Sequence, residues 1–213
     1  MAEAVRYLDV VVPARGDVPD DIGTASPIRS ITERVAADPS AWTPEWAARL
    51  GAMFDDLAPD WHRHHDPDRL APLVDALDRG GPFVGPVLEL GAGAGAGTSE
   101  LVARFGSVVA LDLAAGMLDR LQVPGAARVR ADASRMPTAD RSVGTLVCVN
   151  MLLFADEVRR VLGPDGVLVW VNTIGGRTPI HLSADAVADA LGGGFAVTAS
   201  SASWGTWAVA RRR

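Results

Sequence analysis

From Pro86 onward, apolar residues alternate between short solid blocks and stretches in which they recur every three or four positions, the signatures of strand and helix. Val87–Leu90 is predicted as a strand, Thr98–Phe105 as a helix and Val108–Leu113 as a second strand. Ala114–Leu121 reads as a helix with Met117, Leu118 and Leu121 on one face, followed by a short third strand over Ala127–Ala131. Thr145–Val149 is almost continuously apolar, as a strand covered on both faces must be. Ala155–Leu162 is a helix stopped by Gly163-Pro164, and Val167–Asn172 a fifth strand. Ser183 caps a helix that runs to Leu191. The glycines 192–194 break it, and Phe195–Ser200 and Thr206–Ala210 form a closing hairpin. Strands alternating with helices require right-handed crossovers and a parallel sheet covered on both sides. The expected fold is therefore α/β: a doubly wound, mostly parallel seven-stranded sheet with a C-terminal antiparallel hairpin at its edge.

Residues 1–80 have another texture, and the chain divides there into an N-terminal helical cap or lid and an 81–213 sheet domain. Thr43-Pro44 is an N-cap followed by proline in the first turn. Behind it Trp46, Leu50, Met53, Phe54 and Leu57 recur at helical spacing. Leu70, Leu73, Val74 and Leu77 make a second stripe, and Ser26-Pro27 starts a helix carrying Ile28, Ile31 and Val35. Arg15–Gly23, polar and acidic, reads as a loop or lid.

Between the first strand and its helix lies Leu88-Glu89-Leu90-Gly91-Ala92-Gly93-Ala94-Gly95-Ala96-Gly97-Thr98. Glycine at every second position removes the Cβ atoms that would hold a ligand off the backbone. The helix start adds free N–H groups and the positive end of a dipole. This is a cradle for a nucleotide-type cofactor, although the glycine pattern alone also suits a dinucleotide. Glu89 fits poorly beside a pyrophosphate and well beside a cationic group. Asp112, closing the second strand, is placed to accept ribose hydroxyls. Asp132-Ala133, closing the third, offers an acceptor for an adenine amino group and a neighbouring backbone donor.

Composition narrows the class. An apolar fraction of 48% with 22% charged residues is globular rather than disordered. A net charge of −6, from 20 basic and 26 acidic residues, disfavours a chain whose main task is gripping nucleic acid. The terminal Arg211-Arg212-Arg213 reads as a solvated end. The single cysteine, Cys148, sits in an apolar run and is expected to be buried and inert. No signal-peptide layout opens the chain, and the apolar stretch Val143–Ala155 is too short to span a bilayer. A cytoplasmic protein without membrane partners is expected.

Together these motifs resemble the class I S-adenosylmethionine-dependent methyltransferases, in their small-molecule, ubiquinone-biosynthesis-like branch. The resemblance runs from Pro86 to Val171. It rests on the glycine loop, Ala110-Leu111-Asp112-Leu113-Ala114-Ala115-Gly116-Met117-Leu118, Ala131-Asp132-Ala133-Ser134-Arg135-Met136-Pro137 and Glu157-Val158-Arg159-Arg160-Val161-Leu162-Gly163-Pro164-Asp165-Gly166. The family usually has glycine where Asp165 stands, a turn position that tolerates Asp. The closing hairpin fits the family's terminal antiparallel strand.

The resemblance implies S-adenosylmethionine as cofactor and assigns roles by position. Glu89, Gly91, Ala92, Gly93 and Gly95 surround its methionine end. Asp112 binds the ribose and Leu113 flanks the adenine, with Met117 a further cofactor-binding position. Asp132 and Ala133 read the adenine edge, and Asn150 lies beside the amino group or the acceptor. A general base is needed only for a protonated acceptor; the candidates are His181, after the fifth strand, and His65 in Trp61-His62-Arg63-His64-His65-Asp66. His62 and His65 share a helical face, but nothing else supports a metal site and none is expected. Relatives use the helices before the first motif to cover the cofactor and shape the acceptor pocket, which makes Trp61, Arg63 and His65 pocket candidates. An apolar or aromatic small molecule is the expected acceptor. Asn150-Met151-Leu152-Leu153-Phe154 lacks the Asn-Pro-Pro-Tyr pattern of relatives that methylate nucleic-acid amino groups. Two rivals remain: a protein of this fold that binds the cofactor without transferring methyl, or as a cyclase, and a nicotinamide-dependent oxidoreductase. The second lacks a Tyr-x-x-x-Lys pair, since Tyr7 is the sole tyrosine.

Overall fold

A computed structural model describes residues 5–18, 26–64 and 66–213. Its centre is one eight-stranded sheet in the order β1-β7-β8-β6-β5-β2-β3-β4. These are β1 (Val5–Tyr7), β2 (Val87–Leu90), β3 (Val108–Asp112), β4 (Ala126–Arg130), β5 (Val143–Val149), β6 (Leu162–Asn172), β7 (Phe195–Ala202) and β8 (Gly205–Arg212). The helices are α1 (Pro27–Ala37), α2 (Pro44–Leu57), α3 (Pro67–Arg79), α4 (Ala96–Phe105), α5 (Ala115–Arg120), α6 (Ala155–Val161) and α7 (Ala184–Leu191).

All neighbouring strands run parallel except β8, which is antiparallel to both β6 and β7. The expected α/β sheet with its closing hairpin is present, with two differences. The sheet has eight strands rather than seven, because Val5–Tyr7 pairs with Val197–Ala199. Three residues are too few to carry a strand period, so nothing in the sequence announced them. The hairpin is consequently not at the edge: β1 covers its outer strand.

Alternation along the central strands sorts side chains onto two faces. Leu146 and Cys148 of β5, and Leu168 and Trp170 of β6, join Val158, Val187, Ile31 and Leu50 in one core. Val147, Val167 and Val169 point the other way, toward Leu73 and Leu77 of α3 and Leu101 of α4. In that second layer the buried Asp75 accepts from Arg79 Nε (2.8 Å), Arg79 Nη2 (2.6 Å) and Trp207 Nε1 (2.6 Å). Arg79 also reaches the Asp9 carbonyl and Ser200. One buried carboxylate thus ties α3, the N-terminal strap and the hairpin together.

Caps start the N-terminal helices where the sequence places them. Ser26, Thr43 and Asp66 each accept from a backbone N–H of the first turn of α1, α2 and α3, and Ser183 does so for α7. The arginine tail is a correction. Arg211 and Arg212 belong to β8. The Arg211 guanidinium donates to the Gly80 and Pro82 carbonyls, and Arg212 lies over the Phe195 ring and donates to the Arg159 carbonyl. Charge alone suggested solvent, but backbone carbonyls of Gly80, Pro82 and Arg159 hold both side chains. The stretch read as a lid, Arg15–Gly23, lies from residue 19 onward outside the described residues.

The order of the central strands fixes where a ligand binds. β2 pairs with β3 on one side and β5 on the other. Connections therefore leave it in both directions and open a crevice at the carboxyl ends of β2 and β5.

Candidate functional site

The loop leaving β2 turns through three glycines with positive φ: Gly91 (+67°), Gly93 (+55°) and Gly95 (+93°). A side chain at Gly95 would meet Leu121 at 2.9 Å, and one at Gly91 would meet the Met151 sulfur at 2.7 Å. Gly91 and Ala92 both donate to the Leu111 carbonyl, which binds the loop to β3. Gly93 N donates to Asp112 Oδ2 (2.8 Å), and Ala114 N donates to Oδ1 (2.8 Å). Asp112 therefore clamps the loops that follow β2 and β3, with lone pairs remaining on each oxygen.

Glu89 points into the fold and is 2% exposed. Thr98 Oγ1 donates to its Oε2 at 2.5 Å. A Cβ on Gly97 would lie 2.6 Å from its other oxygen, so the start of α4 wraps this carboxyl. Burial pushes Glu89 up to about 8, with the nearby Asp112 adding to the shift. Asp112 is also raised by burial, against the backbone donors that lower it, and Asp55 contributes in the raising direction. Asp55, on α2, accepts from Gly116 N at 2.7 Å and so docks the cap on the first turn of α5. Asp112 thus meets the glycine loop at Gly93, Glu89 the start of α4 at Gly97 and Thr98, and Asp55 the start of α5 at Gly116. That arrangement favours a ligand with hydroxyls and a cationic end.

Asp132, after β4, accepts from Ser134 N (2.8 Å) and from the indole of Trp42, whose Nε1 lies 2.9 and 3.2 Å from its two oxygens. Ala133 is buried in the core beside it. Leu113 packs toward Gly51 of α2. Met117 is buried with Ala58 and Ala114, and its side chain contributes to packing under the cap. Asn150 ends β5 with a φ of +48°. Its amide donates to Thr173 Oγ1 and accepts from Thr173 N, each at 2.9 Å, tying the tips of β5 and β6 together.

The fold thus brings Glu89, the glycine loop, Asp112 and Asp132 to the tips of three adjacent strands, with Asn150 on the fourth. His181 stands apart, on the loop between β6 and α7. Its imidazole is held below its usual range first by burial and then by Arg29 of α1, with Glu33 opposing. His65 falls outside the described residues. Over Gly93 sits Trp61, whose Nε1 would be 3.6 Å from a Cβ there; Phe54 of α2 meets its ring edge-on at 5.8 Å.

Thr98, Gly97, Asp55 and Trp42 were not singled out by sequence reading. Glycine inside the first turn of α4, where it costs helix stability, was the available signal for Gly97. Asp55 and Trp42 lie on cap elements far from the motifs in sequence, and only folding brings them there.

The residues present fit S-adenosylmethionine. The floor carries nothing larger than the methyls of Ala92 and Ala94, a hydroxyl-accepting carboxylate stands at β3, and Glu89 near the end of β2 matches a cationic amino group. Comparison with known proteins agrees. Residues 88–170 match the family described as a methyltransferase domain. The biotin biosynthesis bifunctional protein BioHC of Cellvibrio japonicus is 39% identical over 106 residues, which is 45% of this chain and 21% of that protein. The chain thus spans about a fifth of that relative's length. Among solved structures, a SAM-dependent methyltransferase from Aquifex aeolicus superposes with a TM-score of 0.60 at 20% identity, covering 73% of this chain and 98% of that one. A SAM-dependent methyltransferase from Thermotoga maritima, described as a possible histamine N-methyltransferase, gives 0.61 at 15% identity, with 76% and 99% covered. These two establish the shared fold.

Proposed function

We propose that this chain transfers a methyl group from S-adenosylmethionine to a small apolar or aromatic acceptor; the match of residues 88–170 to a methyltransferase domain model supports this reading. The observation that supports it best is Asp112 at the end of β3 accepting from Gly93 N of the Gly91–Gly95 loop, with Glu89 and Asp132 near the ends of the neighbouring strands β2 and β4.

When bound, the cofactor supplies a methyl group on a sulfonium that is already a good leaving group. What remains for the protein is alignment and exclusion of water. Glu89 holds the cationic amino group, Asp112 the ribose hydroxyls and Asp132 the exocyclic amine of adenine. Asp112 does so from a carboxylate fixed by two backbone donors, so little ordering is left for binding. Asn150 acts indirectly, by joining the β5 and β6 tips that carry the acceptor side of the crevice.

The cap supports an apolar or aromatic acceptor. Phe54 and Trp61 form an edge-to-face pair beside Gly93, an aromatic wall suited to an apolar or aromatic molecule. His181, whose imidazole burial and Arg29 hold below its usual range, is the candidate base for an acceptor that arrives protonated; it lies on the loop after β6, apart from the residues assigned to the cofactor. The acidic charge of −6 argues against nucleic acid as acceptor. No helix among the described residues is long and apolar enough to cross a membrane, in keeping with work in the cytoplasm on a diffusing substrate.

The test is binding, then transfer. Calorimetry with S-adenosylhomocysteine should show saturable heat, and NADH should show none; the reverse result would make the chain an oxidoreductase. Methyl-labelled cofactor with a metabolite extract should then yield labelled small molecules. A protein that binds but labels nothing is the non-transferring alternative.

A further inference from the structure

We propose that Trp42, supplied by the helical cap, is a positioning residue for recognition of the adenine amino group. The proposal rests on Asp132 being the adenine acceptor, as assigned above. Trp42 stands in the link between the 3-10 turn Pro39–Ala41 and α2. Its indole N–H spans both oxygens of Asp132, at 2.9 and 3.2 Å. Phe154, buried just ahead of α6, meets the ring edge-on at 5.6 Å. A cavity of about 240 Å³ opens beside the ring, lined by Pro39, Ser134, Phe154, Asp156 and Glu157. Packing against the core and Phe154 therefore holds one side of Trp42 and leaves the other open, while the hydrogen bond ties its N–H to Asp132.

Asp132 gains as much from the contact as Trp42 does. A carboxylate at a loop start rotates freely unless donors reach it from more than one direction. Ser134 N fixes one oxygen from the Asp132 loop itself. The indole approaches from the cap, 90 positions away in sequence. Together they set the plane of the carboxylate and still leave acceptor capacity, because an ionised carboxylate has about four lone-pair sites. An exocyclic amine entering the crevice then meets an acceptor already oriented for it. The cap, usually thought of as cover for the acceptor, thereby also sets how sharply adenine is distinguished from other bases.

The experiment compares S-adenosylhomocysteine with its 6-oxo analogue, S-inosylhomocysteine, by calorimetry on the full chain and its Trp42→Phe variant. Wild type should favour the amino ligand. In W42F the affinity for the amino ligand should fall about five- to tenfold, the scale of one hydrogen bond, and that for the 6-oxo ligand should stay within about twofold. If W42F is poorly folded by thermal melting, W42Q, which restores a side-chain N–H donor, should bring the preference back. Loss of both ligands in equal measure, or retention of the wild-type preference, overturns the proposal. Wild type binding neither ligand refutes instead the cofactor reading beneath it.

Discussion

Glutamine in place of Glu89 keeps the shape of the side chain and the oxygen that receives the Thr98 hydroxyl, and removes only the titrating proton. Burial moves this carboxyl from 4.5 to about 8, so between those values the native chain holds a proton that the unfolded chain has released. Stability therefore falls as pH rises through that window and levels off above about 8. At about 1.4 kcal/mol per tenfold change in proton affinity, the displacement amounts to on the order of 4 kcal/mol at pH 8 and under about 1 kcal/mol at pH 5. The E89Q protein should melt with wild type at pH 5 and above it at pH 8. At roughly 2–4 °C per kcal/mol for a chain of this size, the gap at pH 8 should be about 10 °C. Melting curves without ligand over pH 5–8.5 test this, and parallel curves for the two proteins would refute it. The same carboxyl makes cofactor binding pH-linked. A cationic amino group stabilises the ionised form, so binding of S-adenosylhomocysteine at pH 7 should release a proton and its heat should depend on the buffer's ionisation enthalpy. A buffer-independent heat would take Glu89 away from the amino group.

Three further outcomes follow from contacts in the fold. Asp112→Asn loses the anionic partner proposed for the ribose and one acceptor for the Gly93 and Ala114 N–H groups; S-adenosylhomocysteine should bind about 1–3 kcal/mol more weakly, and unchanged calorimetric affinity would remove Asp112 from the ribose role. Asp75→Asn leaves Arg79 beside a neutral amide in a buried setting; the denaturant midpoint should report a loss of about 3 kcal/mol, and a loss under about 0.5 kcal/mol would show that the network does not hold the hairpin. His181→Ala should abolish transfer to a protonated acceptor with S-adenosylhomocysteine affinity intact, and full turnover over the whole pH range would end its role as base.

The middle of the sheet was legible because β5 and the Val167–Val171 stretch of β6 are nearly solid apolar blocks. Val143–Val149 and Leu162–Asn172 are buried almost throughout, and no amphipathic helix could carry such runs. What escaped was set by partners rather than by pattern. Val5–Tyr7 is a strand because β7 presents an open edge to it, and an isolated Val-Arg-Tyr carries no such preference. The arginine tail belongs to β8 because the Gly80, Pro82 and Arg159 carbonyls need donors, a demand invisible from Arg211-Arg212-Arg213 itself.

The site divides along the same physical line. Glu89, the glycines, Asp112 and Asp132 could be named from spacing, because each lies at the end of a strand whose tip position is fixed by the sheet. Their surroundings could not. The sequence does not say that Thr98 and Gly97 pack against Glu89; burial raises its proton affinity, and the Thr98 hydrogen bond works against that rise. Nor does it say that Asp55 and Trp42 reach across from the cap to Gly116 and Asp132. Both are polar contacts made by a mainly helical region to loops of the sheet domain, beside the positions assigned to ribose and adenine. A cap anchored there by hydrogen bonds, rather than by apolar packing alone, must keep register with the crevice beneath it. Changes in either contact should therefore register in cofactor binding before they register in global stability.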